Sequence, residues 1–452
     1  MVGRKLIISS ILAIVIIVAA VIGSWWYLSQ TGLGPAPQIT IKMGMVSELT
    51  GGIAGGGGLD DALGAQLAVE YVKSKGGILG KYDFDFTLVD CKSDPSTAAA
   101  EAERLITQYD VQVVFGTLSS ACLLPITEVC EKYQRICIPI CGQAWQVTGT
   151  GKKWVFRMNP HNKDVAEGAI GTFELACEKM GIDPHTARIA LIHEDGPYGT
   201  GLREYIGKMC EQKGYNLVFV QAYPYTATDF SSMLTNLKAA NPDFLMWVCY
   251  GPDGATIFKQ MVELGIKVYL VIGLGAAHSQ KWLYDTVGAP AEYLISVDYP
   301  GPYISNPDKM LPEVREAYQW FLNQFEARYG RKATVHAGFG FNHVWIMLHY
   351  VYPAAIEKYG KVDAETLRKV LLDLEIPLGG SIHPYGVKFI KPGSPEDVPD
   401  VLGRLNEQGN MYAKAAGHQW QNGTFVGVWP PEAVRGTIVA PLPPDHPLAK
   451  KK

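Results

Sequence analysis

Short runs rich in β-branched residues alternate with helical patterns along most of this chain, and the joints between them are only a few residues long. Such alternation specifies an α/β architecture, with parallel sheets covered by helices on both faces. Ile39 to Ser47, Tyr82 to Asp90, Val111 to Phe115 and Arg135 to Ile140 read as the first strands. Leu59 to Lys75 reads as a helix. Asp60 and Asp61 suit its positive start, Leu63, Leu67 and Tyr71 share one face, and Gly76-Gly77 ends it. Asp94 caps another helix that begins with Pro95. Further strands are expected at Arg188 to His193, Leu217 to Ala222, Asp243 to Cys249, Lys267 to Ile272 and Tyr293 to Tyr299.

The pattern relaxes into extended stretches near Trp154 to Asn159 and Ser296 to Pro300. A first lobe is therefore expected over residues 39–157 and a second over 158–296. Residues 297–405 carry the helices Leu311 to Arg328, Ala337 to Tyr359 and Ala364 to Leu374 and return to the first lobe. Residues 406–430 form a hinge and the end of the second lobe, with two short strands turning at Asn422-Gly423. The Pro- and Lys-rich tail, 431–452, is expected to be poorly ordered.

Residues 1–28 are of another kind. Arg4 and Lys5 precede an apolar run from Leu6 to Tyr27, which closes on Trp25, Trp26 and Tyr27. A run of about 20 apolar residues is long enough to span a bilayer, with basic residues inside and aromatic rings at the far interface. A transmembrane anchor is expected, or a signal cleaved near Ala19, Ala20, Gly23 and Ser24. Either places the body outside the cytoplasm, beyond a linker at 29–38. No cysteine lies there to carry a lipid.

Composition removes several classes of function. The net charge of −4 leaves no basic field for nucleic acid. The eight cysteines include no C-x-x-C, against zinc ribbons and thioredoxin-like chemistry. Cys91 and Cys122 fall at neighbouring strand ends, where they meet as a pair or stay buried thiols. Neither H-E-x-x-H nor G-x-S-x-G occurs, and no metal motif fits His336, His343 and His349. No enzyme, cofactor or metal is expected.

Ligands of open α/β sheets sit beyond the carboxyl ends of the strands. Those ends deliver Glu48 with the loop Gly51 to Gly58, Gly116 to Ser120, and Cys141 to Trp145. In the second lobe they deliver His193 to Gly199, Tyr250 to Gly254 and Gly273 to His278. Ser119 and Ser120 open a helix, where free N–H groups and hydroxyls make a seat for a carboxylate; plain helix capping by serine is the alternative. The glycine loop lacks G-x-x-x-x-G-K-[ST] and reads as a pocket loop. Trp145, Tyr198 and Tyr250 are candidates to line a slot or are plain packing residues.

These residues sit in longer motifs. I-K-M-G-M-V-S-E-L-T-G is followed by G-A-Q-L-A-V-E-Y-V, D-C-K-S-D-P-S-T-A, V-V-F-G-T-L-S-S, D-G-P-Y-G-T-G and H-Q-W-Q-N-G-T-F-V-G-V-W-P. In this order and spacing, from about Ile39 to Trp429, the chain resembles the solute-binding proteins of ABC importers, in the Leu/Ile/Val-binding family of periplasmic-binding-protein type I. The resemblance implies two doubly wound lobes joined by a three-segment hinge, a small-molecule ligand between them, and ABC permease subunits as partners. Leu118, Ser119 and Ser120 would line the first-lobe seat, with Ser120 on the ligand carboxylate. Cys141, Gly142 and Gln143 would flank it, with an amide side chain where the family offers a hydroxyl. Tyr198, Tyr250 and Gly275 would come from the second lobe, and Phe339 or Phe341 would fall near an aromatic wall.

One departure bears on the ligand. The family's amino-acid binders carry an acid for the α-ammonium in the loop that here reads Gly273-Leu274-Gly275-Ala276-Ala277-His278. A buried ammonium without a partner is costly. Glu48, Asp253 or Asp298 takes that place, or the ligand lacks an ammonium. The expected ligand is a branched-chain or related amino acid, or another small organic acid, amide or urea-like molecule. Trp145 suits an aromatic or slim planar one.

Overall fold

The fold is taken from a computed structural model that describes residues 39–431, 434 and 436–451. The apolar run expected to anchor or export the chain lies outside the described residues. Among those described, no helix is long and apolar enough to cross a membrane.

The first sheet joins Lys42–Ser47 (β1), Asp85–Asp90 (β2), Val113–Gly116 (β3) and Ile136–Pro139 (β4) in the order β2-β1-β3-β4, all parallel. Gly58–Ser74 (α1), Pro95–Tyr109 (α2) and Ser120–Tyr133 (α3) make the connections. The chain steps from β1 outward to β2 and then back across to β3, so right-handed crossovers put α1 and α2 on opposite faces. Asp94 caps α2 by accepting from the Thr97 N–H at 2.7 Å, with Pro95 at the first helical position. The apolar sides of α2 and α3 close over Val46, Val89 and Val114.

The second sheet contains Arg188–Glu194 (β5), Asn216–Tyr223 (β6), Phe244–Trp247 (β7), Leu270–Leu274 (β8) and Ile295–Asp298 (β9), again parallel. Pro197–Lys213 (α4) follows β5. Two later strands, Ala416–Gln421 (β10) and Thr424–Trp429 (β11), form an antiparallel hairpin on the β9 edge. Asn422 and Gly423 turn it with φ of 52° and 69°, as a two-residue loop with both φ positive requires.

Between the sheets the chain crosses three times. Arg157 is buried in one crossing: its N–H donates to the Gln408 carbonyl and its carbonyl accepts from the Asn410 N–H. Its guanidinium reaches the Ala144 carbonyl and Asn406 Oδ1. Beyond β9 the chain returns through Pro312–Tyr329 (α5) and Val335–Ile346 (α6). The helix expected to run unbroken to Tyr359 instead widens into a π-type turn at Met347–Val351 before Tyr352–Tyr359. Pro353 explains this, because it has no N–H to give the preceding turn.

The tail differs from its expectation. Leu448 is fully buried, the Val268 N–H donates to its carbonyl, and the Lys450 N–H returns a bond to the Val268 carbonyl. Ile438 and Leu442 are also buried, and these apolar anchors outweigh the Pro-rich composition around them.

Candidate functional site

Glu48 follows β1 and is completely buried. Its two carboxylate oxygens accept the Leu118 and Ser119 N–H groups, each at 2.9 Å. Two of the amides expected to seat an anion are therefore already held by a side chain. The Ser119 hydroxyl accepts from the Ala121 N–H at 3.2 Å and is the helix cap. What remains at the start of α3 is Ser120: its N–H is an orphan donor by helix geometry, and its hydroxyl accepts from the Ala144 N–H at 3.1 Å, leaving its own proton to donate.

Glu194, after β5, repeats the arrangement, accepting the Gly196 and Gly199 N–H groups at the start of α4. Burial pushes both Glu48 and Glu194 up to about 7, against their backbone hydrogen bonds, which pull the other way. The native chain thus holds protons between pH 4.5 and 7 that the unfolded chain has released, so this share of the stability is lost as pH rises through that window. Denaturant unfolding at pH 5, 6 and 7 tests this. Wild type is expected to fall more steeply than Glu194→Gln by up to about 1.4 kcal/mol per pH unit. Parallel slopes would refute it.

Ser120 opens onto a cavity of about 20 Å³ between the carboxyl ends of the two sheets, room for about one water as the walls stand. Leu118, Cys141, Gly142 and Gln143 line it from the first lobe, and Tyr198, Tyr250 and Ala276 from the second. Asp298, Tyr299 and His336 complete the wall. Tyr198 is fixed by donating its hydroxyl to the Leu274 carbonyl at 3.0 Å, and Tyr299 by donating to the Cys141 carbonyl at 3.2 Å.

Of the three candidate acids only Asp298 reaches the cavity. Glu48 is committed as described, and Asp253 binds the Gly251 N–H at 2.7 Å and the Tyr223 hydroxyl at 3.1 Å. Asp298 Oδ1 accepts from the Tyr299 N–H at 2.9 Å and Gln143 Nε2 at 3.4 Å, whereas Oδ2 is buried without a partner. Burial pushes Asp298 up to about 6, which leaves it mostly ionised at neutral pH. Beside it is His336, whose Nε2 also has no partner and lies 4.0 Å from Asp298 Oδ2.

A family profile for periplasmic binding proteins matches residues 40–392. The chain belongs to the periplasmic binding protein family. This binding protein is 29% identical over 416 residues to a Leu/Ile/Val-binding protein homolog of Brucella abortus, covering 91% of this chain and 96% of the relative. Its fold is similar to that of a leucine-binding protein from Thermotoga maritima, with a TM-score of 0.69, 21% identity, and coverage of 86% of this chain and 97% of that one. It is also similar to an ABC-transporter solute-binding protein from Rhodopseudomonas palustris in complex with benzoate, with a TM-score of 0.64, 19% identity, and coverage of 86% and 95%.

Five residues expected at the site of this binding protein lie off the cavity. Ser119 is the cap described above. Trp145 is covered by the Arg404 guanidinium, 3.9 Å from its ring centre, and Arg404 is in turn paired with Glu204. Gly275 stands behind the wall: at φ 69°, a Cβ there would come within 3.0 Å of the Tyr198 hydroxyl and 3.3 Å of the Asp298 carboxyl group. Phe339 backs the cavity, its ring against Tyr299 and His383, and Phe341 packs in the core against Tyr71 and Phe321. The glycine loop does not line the cavity. It abuts Tyr250, where a Cβ on Gly56 would overlap the Tyr250 carbonyl, and Gly55 accepts from the Trp282 indole.

Tyr299 and His336, which line the cavity, and Asp61, which stands behind His336, were not legible in the sequence pattern. Asp61 is placed by the close crossing of α1 and α6, where a Cβ on Gly64 would strike the Ala337 carbonyl and one on Gly340 the Asp61 carbonyl. Thr334 caps α6 and donates to Asp60 Oδ2 at 2.6 Å, while Arg331 grips the same carboxylate. All eight cysteines are buried free thiols, so Cys91 and Cys122 are neighbours without a bridge.

Proposed function

We propose that this solute-binding protein captures a small amino acid between its two lobes, outside the cytoplasm, and hands it to an ABC permease. The ligand carboxylate takes the Ser120 N–H and hydroxyl, and its ammonium takes Asp298 Oδ2. The observation that carries this reading is the polarity of the cavity. Glu194 already occupies the helix start of the second lobe, so the remaining anion seat is at Ser120, and the cavity acid with an oxygen that accepts no hydrogen bond, Oδ2, is Asp298. The lobes part and close about the crossings near 154–159, 296–300 and 406–410. The run 6–27 tethers the body to the membrane, or exports it if cleaved.

Cys141 Sγ lies 3.2 Å from His336 Nδ1, which resembles a nucleophile and its base. Burial and the Asp61 and Asp298 carboxylates push that thiol well up, the opposite of what an activated thiolate needs. This favours binding over hydrolysis.

Titration calorimetry with leucine, its des-amino acid, its amide and benzoate tests the reading. Leucine or a related amino acid is expected to bind, and the des-amino acid far more weakly. Binding of benzoate alone would replace the amino acid by an aromatic acid, a second reading that the Tyr198, Tyr250 and Tyr299 rings favour. Ser120→Ala combined with Gln143→Ala is expected to weaken binding by at least about 1.5–3 kcal/mol while the chain still folds, with a lower melting temperature because the Ala144 N–H loses its acceptor. Unchanged affinity would mean that the carboxylate sits elsewhere.

A further inference from the structure

Three side chains from distant parts of the sequence converge on the first-lobe wall. Asp61 comes from the first turn of α1, Cys141 from the loop after β4, and His336 from the first turn of α6. Cys141 Sγ is 3.2 Å from His336 Nδ1 and 3.4 Å from each Asp61 oxygen, and Asp61 Oδ1 is 3.6 Å from His336 Nδ1. Metal bonds of about 2.0–2.3 Å at the tetrahedral angle separate ligand atoms by about 3.3–3.6 Å. The three edges, 3.2–3.6 Å, come close to one face of a zinc-type tetrahedron, with one sulfur, one nitrogen and one oxygen donor.

The far side of the imidazole gives a second, independent observation. A metal-ligating histidine nearly always turns its other ring N–H to a carboxylate, a backbone carbonyl or water. His336 Nε2 and Asp298 Oδ2 are both buried, both without a partner, and 4.0 Å apart. We infer that Asp61, Cys141 and His336 form a binding site for a zinc-class divalent cation in the wall of the ligand cavity, with Asp298 orienting the histidine.

Charge agrees with this. A thiolate and a carboxylate neutralise a divalent ion, and the Asp61 and Cys141 side chains are both buried, where an uncompensated charge is costly. Asp298 Oδ2 has two lone pairs, so a bond from the imidazole leaves one for a ligand ammonium. The other compact cluster, Glu48 with Cys91 and Cys122, is a poorer candidate because both Glu48 oxygens already accept backbone N–H groups. A bound cation would tie α1, α6 and the Cys141 loop together beneath the ligand, independently of which solute is carried.

The test is anaerobic titration of the chelator-treated full chain with Co²⁺, followed by absorption and by thermal melting. One equivalent is expected to bring up a near-ultraviolet thiolate-to-cobalt band and the strong visible bands of a tetrahedral site, and to raise the melting temperature. Cys141→Ser is expected to lose the near-ultraviolet band, His336→Gln to weaken binding at least tenfold, and Cys122→Ala to change neither. Absence of these bands in wild type overturns the site, whatever the variants do. So does a thiolate band that survives in Cys141→Ser or disappears in Cys122→Ala. A leucine titration of the metal-free chain reads the amino-acid proposal separately.

Discussion

Replacing Asp298 with Asn is expected to raise the Kd for an amino-acid ligand by about two to three orders of magnitude. Asn keeps the shape of the side chain and an oxygen for the Tyr299 N–H, which now bonds Asp298 Oδ1 at 2.9 Å. It removes the charge that would face the ammonium. Breaking one side of a buried ion pair costs about 3–5 kcal/mol, because the partner is left uncompensated, and about 1.4 kcal/mol is a factor of ten in Kd. The des-amino acid has no ammonium to lose, so its affinity is expected to stay within a few-fold of wild type. Calorimetry on the two proteins with the two ligands isolates the term. Equal losses for both ligands would mean that the substitution disturbed the cavity wall rather than an ammonium site.

The second large effect lies outside the cavity lining. Gly340→Val is expected to lower the unfolding free energy by about 3 kcal/mol or more, and Gly340→Ala by about 1–3 kcal/mol. The Cβ of either would meet the Asp61 carbonyl, so α1 and α6 must separate. The better helix propensity of Ala recovers up to about 1 kcal/mol of that cost. Separation also draws Asp61 away from His336, so ligand binding is expected to weaken along with stability. Thermal melting and calorimetry on both variants check this. A valine variant as stable as wild type would show that the crossing is looser than described.

The strands were legible because parallel, doubly covered strands are written as short β-branched runs, and each expected run overlaps an observed strand. Their ends were not fixed. The second strand was expected from Tyr82 but pairs from Asp85, because Tyr82 is taken by an isolated bridge to Ile78. Ser120, Gln143, Tyr198 and Tyr250 were legible as cavity-lining residues by the strand-end rule. Asp61 was not, since two acids at a helix start are fully explained by the helix dipole. His336 was hidden likewise, as its partners lie far away in sequence. Trp145 shows the converse. It follows a strand end as the rule requires, and nothing local announces that Arg404 covers it.

The docked tail has a practical consequence. Val268, which it pairs with, precedes β8, whereas Ala276, in the cavity wall, follows that strand. A fluorophore or surface linker attached at Lys450 would therefore leave from the end of the second sheet away from the cavity, about 16 Å along the five-residue strand. The docked segment around Ala449 and Lys450 is thus a suitable handle for immobilising the protein as a biosensor.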